Sequence, residues 1–260
     1  MDQQKEPLRI AFSTQKGGVG KSTFTSLMAS LLHYRLGFNV AVLDCDFPQY
    51  SIQQMRERDL KAVMQNEAYK KLAHKQFTSI KKKAYPILQC KAADAPEVAA
   101  AYCSNAVIIP DILFFDLPGT VNTPGVLSTL AGMDHIFSPI TADRMIVEST
   151  LSFTDVLLNV LGRDGQTSIK SIKLFWNQVD GREKSPLYHA YESVIRDLGL
   201  SLMQTFINDS KRFRKEGEAE AKSVFRSTLL PPDERLMAGC NLDRFTAEFL
   251  ETIKFDSNGE

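Results

Sequence analysis

The chain has no net charge. Its 31 Lys and Arg balance 31 Asp and Glu, so no overall field marks it for nucleic acid or a lipid surface. It lacks any run near the roughly 20 apolar residues that span a bilayer. The opening Met-Asp-Gln-Gln-Lys-Glu-Pro is too polar for the core of a secretory signal. The four cysteines, Cys45, Cys90, Cys103 and Cys240, include no C-x-x-C pair. That spacing argues against a disulfide framework and against most cysteine-held metal clusters. A cytoplasmic protein with reduced, buried or inert thiols is expected. Internal repeats and low-complexity tracts are also missing. The 260 residues suffice for one large α/β domain or two small ones.

What is present is concentrated near the start, in Lys16-Gly17-Gly18-Val19-Gly20-Lys21-Ser22-Thr23. An apolar stretch precedes this run and a helical pattern follows it, the context that a phosphate-binding loop requires. Glycines let the backbone approach a phosphate chain, and the helix start adds partial positive charge. Lys21 is placed to reach β- and γ-phosphates, and the Ser22 hydroxyl to ligate Mg²⁺. The first glycine of the general pattern G-x-x-x-x-G-K-[ST] is replaced by Gln15. Lys16 is additional to what an ordinary loop of this kind needs.

Apolar segments rich in Phe and β-branched residues predict strands at 8–14, 39–44, 112–116, 135–139, 172–177 and 202–206. Helices are predicted at 21–36, 124–131, 145–161, 186–198 and 241–254. Strands alternating with helices imply a doubly wound, mostly parallel sheet flanked by helices in a single α/β domain over 1–260. The stretch at about 55–104 fits the alternation worst. Between Met55 and Lys91 it holds ten basic residues against Glu57, Asp59 and Glu67, and it reads as a lysine-rich helical elaboration on one edge.

Further acidic and amide residues fall at predicted strand ends. Asp44-Cys45-Asp46 closes the second strand, where a carboxylate can hold a metal-bound water or orient an attacking one. The bland alternative is a pair of turn-forming or helix-capping aspartates. Leu113-Phe114-Phe115-Asp116-Leu117-Pro118-Gly119 is a buried strand ending in an aspartate suited to Mg²⁺, followed by a turn able to respond to a γ-phosphate. Asn177, in Trp176-Asn177-Gln178-Val179-Asp180, can hydrogen-bond a purine edge through its amide. This run also resembles the guanine-reading N-K-x-D with Gln for Lys, leaving the choice between ATP and GTP open.

With Lys16, Lys21, Asp46, Asp116 and Asn177 in this order, the chain resembles the ParA/MinD/Soj family of deviant Walker-A ATPases, P-loop NTPases of the SIMIBI group. The segments 44–51 and 207–210 look like the branch encoded on bacterial conjugative transposons. The resemblance implies an ATP-dependent homodimer in which Lys16 crosses to the partner's nucleotide. It places Lys21 and Ser22 on phosphate and Mg²⁺ with Thr23 nearby, and Asp116 beside Mg²⁺. It also has Asn177 touch adenine while Ile207, Asn208 and Asp209 close the base pocket. The family's D-x-D-P-Q is interrupted here by Phe47, which leaves Asp44 or Asp46 as the water-orienting group. Asp46 is favoured, with Asp44 nearer the metal shell.

The resemblance implies a slow ATPase stimulated by a partner protein. The first reading is a switch for partition, maintenance or transfer of the DNA of a mobile element. Lys211, Arg212, Arg214 and Lys215 are its candidate phosphate contacts, as is the cluster Lys81-Lys82-Lys83. The alternative is a MinD-like positioning ATPase that recruits a protein without binding DNA. Leu242, Phe245, Phe249 and Ile253 share one helical face, but Asp243, Glu248 and Glu251 accompany them. Such a helix is expected to dock on its own core rather than on anionic lipid.

Overall fold

Seven strands form one all-parallel sheet in the computed structural model, which describes residues 6–120, 122–161, 167–180, 186–210 and 224–253. They are β1 (Leu8–Phe12), β2 (Val40–Asp44), β3 (Ile87–Gln89), β4 (Ile112–Asp116), β5 (His135–Ile140), β6 (Ser171–Trp176) and β7 (Ser201–Leu202). The spatial order is β3-β2-β4-β1-β5-β6-β7. The chain winds outward from β1 to one edge, returns to β4, then crosses β1 to build the other half. A crevice at the carboxyl ends beside β1 follows from that reversal, where open α/β sheets take their ligands.

The helices are α1 (Lys21–Tyr34), α2 (Ser51–Gln65), α3 (Glu67–Ile80), α4 (Ala95–Asn105), α5 (Val126–Ala131), α6 (Arg144–Asp155), α7 (Pro186–Asp197), α8 (Glu234–Gly239) and α9 (Leu242–Ile253). A π-helical turn, Val156–Leu161, continues α6. Alternation along each strand divides the core in two. Ile10, Phe12, Val42, Phe114, Phe137 and Phe175 face α1 and α9, whereas Ala11, Leu43, Leu113, Phe115 and Ile136 face the side covered by α4 and α5.

The first face is packed by phenylalanine rings. Centroids lie 4.6 Å apart for Phe137 and Phe249, 4.7 Å for Phe175 and Phe245, and 4.8 Å for Phe24 and Phe175. The apolar stripe of α9 (Leu242, Phe245, Phe249 and Ile253) is fully inside this core. Each such side chain contributes about 1.5–3 kcal/mol of burial. The acidic C-terminal helix therefore docks internally, as its pattern implied.

Sequence and structure part at several boundaries. The lysine-rich stretch supplies α2, α3 and α4 but also β3, an edge strand of the sheet that its polar surroundings concealed. The last strand stops at Leu202 instead of running to 206. The Gln204 and Thr205 amides bond the Glu248 carboxylate at 2.7 and 2.8 Å, which turns the chain toward α9. Helix α5 begins at Val126 rather than 124. Gly125 precedes it with φ 83°, where an added Cβ would lie 2.2 Å from Ala93 Cα. Short α8 carried no periodicity long enough to be read. Among the described residues, no helix is long and apolar enough to cross a membrane.

Candidate phosphate and metal site

Strand β1 is buried on both faces, and its exit is tied down on the β5 side. Ser13 N donates to Phe137 O (3.0 Å), Ser138 Oγ donates to Ser13 O (2.7 Å), and the Thr14 and Thr150 hydroxyls pair at 2.9 Å. The loop that follows turns on Gly18 (φ 78°) and Gly20 (φ 103°), both left-handed. Glycine is needed at Gly20 for a second reason: an added Cβ would sit 3.0 Å from Asn177 Nδ2. The loop then feeds α1 directly, Phe24 N bonding Gly20 O at 2.9 Å.

Inside the loop, Lys21 Nζ donates to Lys16 O at 3.0 Å, so the two lysines meet across one turn. Burial lowers the Lys21 pKa, opposed by the charges of Asp116 and Asp46. Gly119, in the turn after β4, closes against this ammonium; a Cβ there would stand 2.8 Å from Lys21 Nζ. The Pro-Gly turn foreseen as a responsive segment thus touches the lysine meant for phosphate.

Asp44 and Asp116 are register partners at the ends of neighbouring β2 and β4. Asp44 Oδ2 accepts the Gln53 amide at 2.8 Å, near the start of α2, while its Oδ1 has no hydrogen-bond partner. Asp44 is therefore partly the helix-capping aspartate of the bland reading. Asp116 is completely buried and both of its oxygens lack partners of ordinary hydrogen-bond geometry. Desolvation raises the Asp116 pKa to about 7, against the opposing pull of the Ser22 hydroxyl. Asp44 is raised to about 6, again first by desolvation.

Three orphaned carboxylate oxygens beside a serine hydroxyl form a hard-oxygen set of the kind Mg²⁺ takes through ligands and retained waters. Ser22, Asp116 and Asp44 fit such an ion. Asp46 is half-buried on the loop beyond β2 and is felt electrostatically by Lys21, Asp44 and Asp116. Phe47 beside it is 53% exposed.

A cleft opens on the other side of α1's first turn, lined by Gly18, Gly20, Thr23, Asn177, Gln178 and Asp209, among others. Asn177 is buried and its Nδ2 donates to Val19 O at 2.8 Å. Its amide therefore braces the loop in this structure, in addition to lining the cleft. Gln178 takes φ 57° and donates to Gly18 O at 3.4 Å. Asn208 pairs with Val179 in an isolated parallel bridge, and its Nδ2 reaches Gly239 O at 3.5 Å. Asp209 N bonds Val179 O at 2.9 Å, which brings the 207–209 segment to the cleft.

The sequence reading did not anticipate Arg226. This residue also lines the cleft and donates through Nη1 to Thr23 Oγ1 at 2.7 Å. No local motif announces it, because the two residues lie 203 positions apart. Lys211, Arg212, Arg214 and Lys215 lie outside the described residues. In the other basic cluster, Lys82 Nζ bonds Gly37 O and Asn39 Oδ1, at the end of the sheet opposite the phosphate loop.

Residues 10–223 match the CobQ/CobB/MinD/ParA nucleotide binding domain family. The chain belongs to that family. No curated protein is significantly similar to this family member in sequence. Among solved structures, a plasmid partition protein from Borrelia burgdorferi bound to AMPPNP aligns with TM-score 0.61 at 16% identity, covering 95% of this chain and 100% of that one. An ATP complex of a Cyanothece McdA variant gives TM-score 0.55 at 16% identity, covering 81% and 86%. The Aquifex aeolicus MinC:MinD complex gives 0.51 at 13%, covering 80% and 84%. At these identities the likeness establishes a common fold: a parallel sheet flanked by helices.

Proposed function

We propose that this ParA/MinD-type domain is an ATP-hydrolysing switch that dimerises on ATP and serves partition, maintenance or transfer of DNA. One observation carries the chemistry: the Lys21 ammonium lies within the electrostatic reach of Asp116 and Asp46, with buried, unpartnered carboxylate oxygens at the same level of the sheet. Lys21 and the loop amides bind the β- and γ-phosphates. Ser22, Asp116 and Asp44 hold Mg²⁺, which supplies charge neutralisation at the phosphates when bound. Asp46, the more accessible acid, orients the attacking water. Lys16 reaches the nucleotide of a second copy.

Turnover is slow without a partner, the arginine that lines the cleft, Arg226, being engaged with Thr23. The nucleotide is adenosine triphosphate on this reading. The solved relatives with AMPPNP and ATP support that choice, as does the Gln178 that replaces the lysine of a guanine-reading motif. The DNA role rests on the partition relative and on the basic run at 211–215. One observation favours the positioning alternative: Lys82 of the other basic cluster is already bonded within its own chain.

Filter binding of DNA with ATP at two salt concentrations separates the two. Retention that falls with salt, by about 0.9 log units of affinity per log unit of salt for each neutralised phosphate, is expected of the DNA switch. Absence of retention under every condition, with ATP binding intact, assigns the protein-recruiting role instead.

A further inference from the structure

Arg226 sits on a segment whose backbone is clamped from two helices. Asp59 of α2 is buried, and its Oδ2 accepts from Ser227 Oγ (3.0 Å), Thr228 N (2.6 Å) and Thr228 Oγ1 (2.9 Å). Tyr34 of α1 donates to Thr228 O at 2.7 Å, Arg56 donates to the same oxygen at 3.1 Å, and Arg58 donates to Arg226 O at 3.2 Å. So many bonds to one short stretch fix where the next side chain emerges. It emerges over the first turn of α1, on Thr23.

Thr23 lies two residues beyond Lys21 and lines the cleft together with Gln178 and Asp209. A phosphate chain with its γ end at Lys21 and its nucleoside in the cleft passes its first phosphate beside Thr23. We propose that Arg226 is a nucleotide-contacting residue that binds the α-phosphate of nucleoside di- and triphosphates, presented by the Asp59 clamp. The inference rests on the nucleotide reading of the site. A guanidinium suits the task because its planar donors hold Thr23 and a phosphate oxygen together, which a lysine does with less geometric control. Prior fixing of the backbone means that little ordering is left to occur on binding.

The test is calorimetric titration of the full chain with Mg·ATP and Mg·ADP at two NaCl concentrations, for wild type, Arg226→Ala, Arg226→Lys and Lys21→Ala. Arg226→Ala is expected to weaken ATP and ADP alike by about 10–100-fold, the size of a lost charge-assisted hydrogen bond. Its affinity should depend less steeply on salt, whereas Arg226→Lys restores the salt dependence and part of the affinity. Without nucleotide both variants should still unfold cooperatively, with Arg226→Ala at most a few degrees below wild type for the lost Thr23 bond. The proposal is overturned if Arg226→Ala binds as wild type does while Lys21→Ala does not bind. It is equally overturned if Arg226→Ala loses affinity together with ligand-free stability and lysine restores neither. A wild-type protein that binds no nucleotide sinks the reading of the site itself.

Discussion

Replacing Asp116 by asparagine should stabilise the nucleotide-free protein, although it removes a residue assigned to the site. Asp116 is wholly buried and its pKa is raised to about 7 by desolvation, whereas an unfolded chain ionises near the usual ~3.9. The folded state therefore binds the proton more tightly than the unfolded state. Below the unfolded value both forms are protonated and the group costs nothing. As pH rises from about 4 to 7, folding must either hold a proton that solvent would take or bury a charge. About three pKa units at ~1.4 kcal/mol each give a penalty of about 4 kcal/mol above pH 7, and only about 1–2 kcal/mol at pH 5.

Asparagine keeps the shape and has no ionised form. The Asp116→Asn variant is thus expected to raise the melting temperature by about 5–10 °C at pH 8, and by much less at pH 5. Scanning calorimetry at the two pH values without magnesium or nucleotide measures both quantities. The same variant should lose the added stability that Mg·ATP confers on wild type. A variant that melts below wild type at pH 8, or a gain that does not shrink toward pH 5, would show that Asp116 is not a charge held at a loss for a ligand.

Lys21→Ala is expected to abolish nucleotide binding, whereas Lys16→Ala should bind ATP as a monomer yet form no ATP-dependent dimer. Gel filtration with ATP decides this, and unchanged dimerisation would remove Lys16 from its role in the partner site. Asp59→Ala strips the buried acceptor from Ser227 and Thr228 and leaves Arg58 without its 2.8 Å partner. A loss of roughly 2–4 kcal/mol should follow in denaturant unfolding, mostly from the buried donors left unsatisfied, because Arg58 stays in reach of solvent. A loss under about 1 kcal/mol would mean that the 226–230 segment is held by other contacts.

The Asp59 clamp marks where sequence reasoning stopped. The strand-loop-helix around Lys16 to Thr23, the carboxylates ending β2 and β4, and the buried stripe of α9 were legible because each is a local pattern. Glycine conformations, alternating burial and helical periodicity all act within a few residues of one another. Edge strand β3 escaped notice since three residues are too few to show a period. The early end of β7 escaped because Glu248, more than forty positions away, captures the amides that would have continued it.

The order of residues along this chain was enough to foretell a glycine-rich loop between β1 and α1, an aspartate closing β4 and a parallel sheet. Those features are encoded by neighbours whose sterics and polarity act over a single turn or strand. Tertiary structure alone brought Arg226 onto Thr23, made Asn177 a brace for Val19, and left the oxygens of Asp116 without partners. These depend on which distant segments share a face of the sheet. Distance in space, and the loss of water around a charge, arise only once the chain has closed on itself.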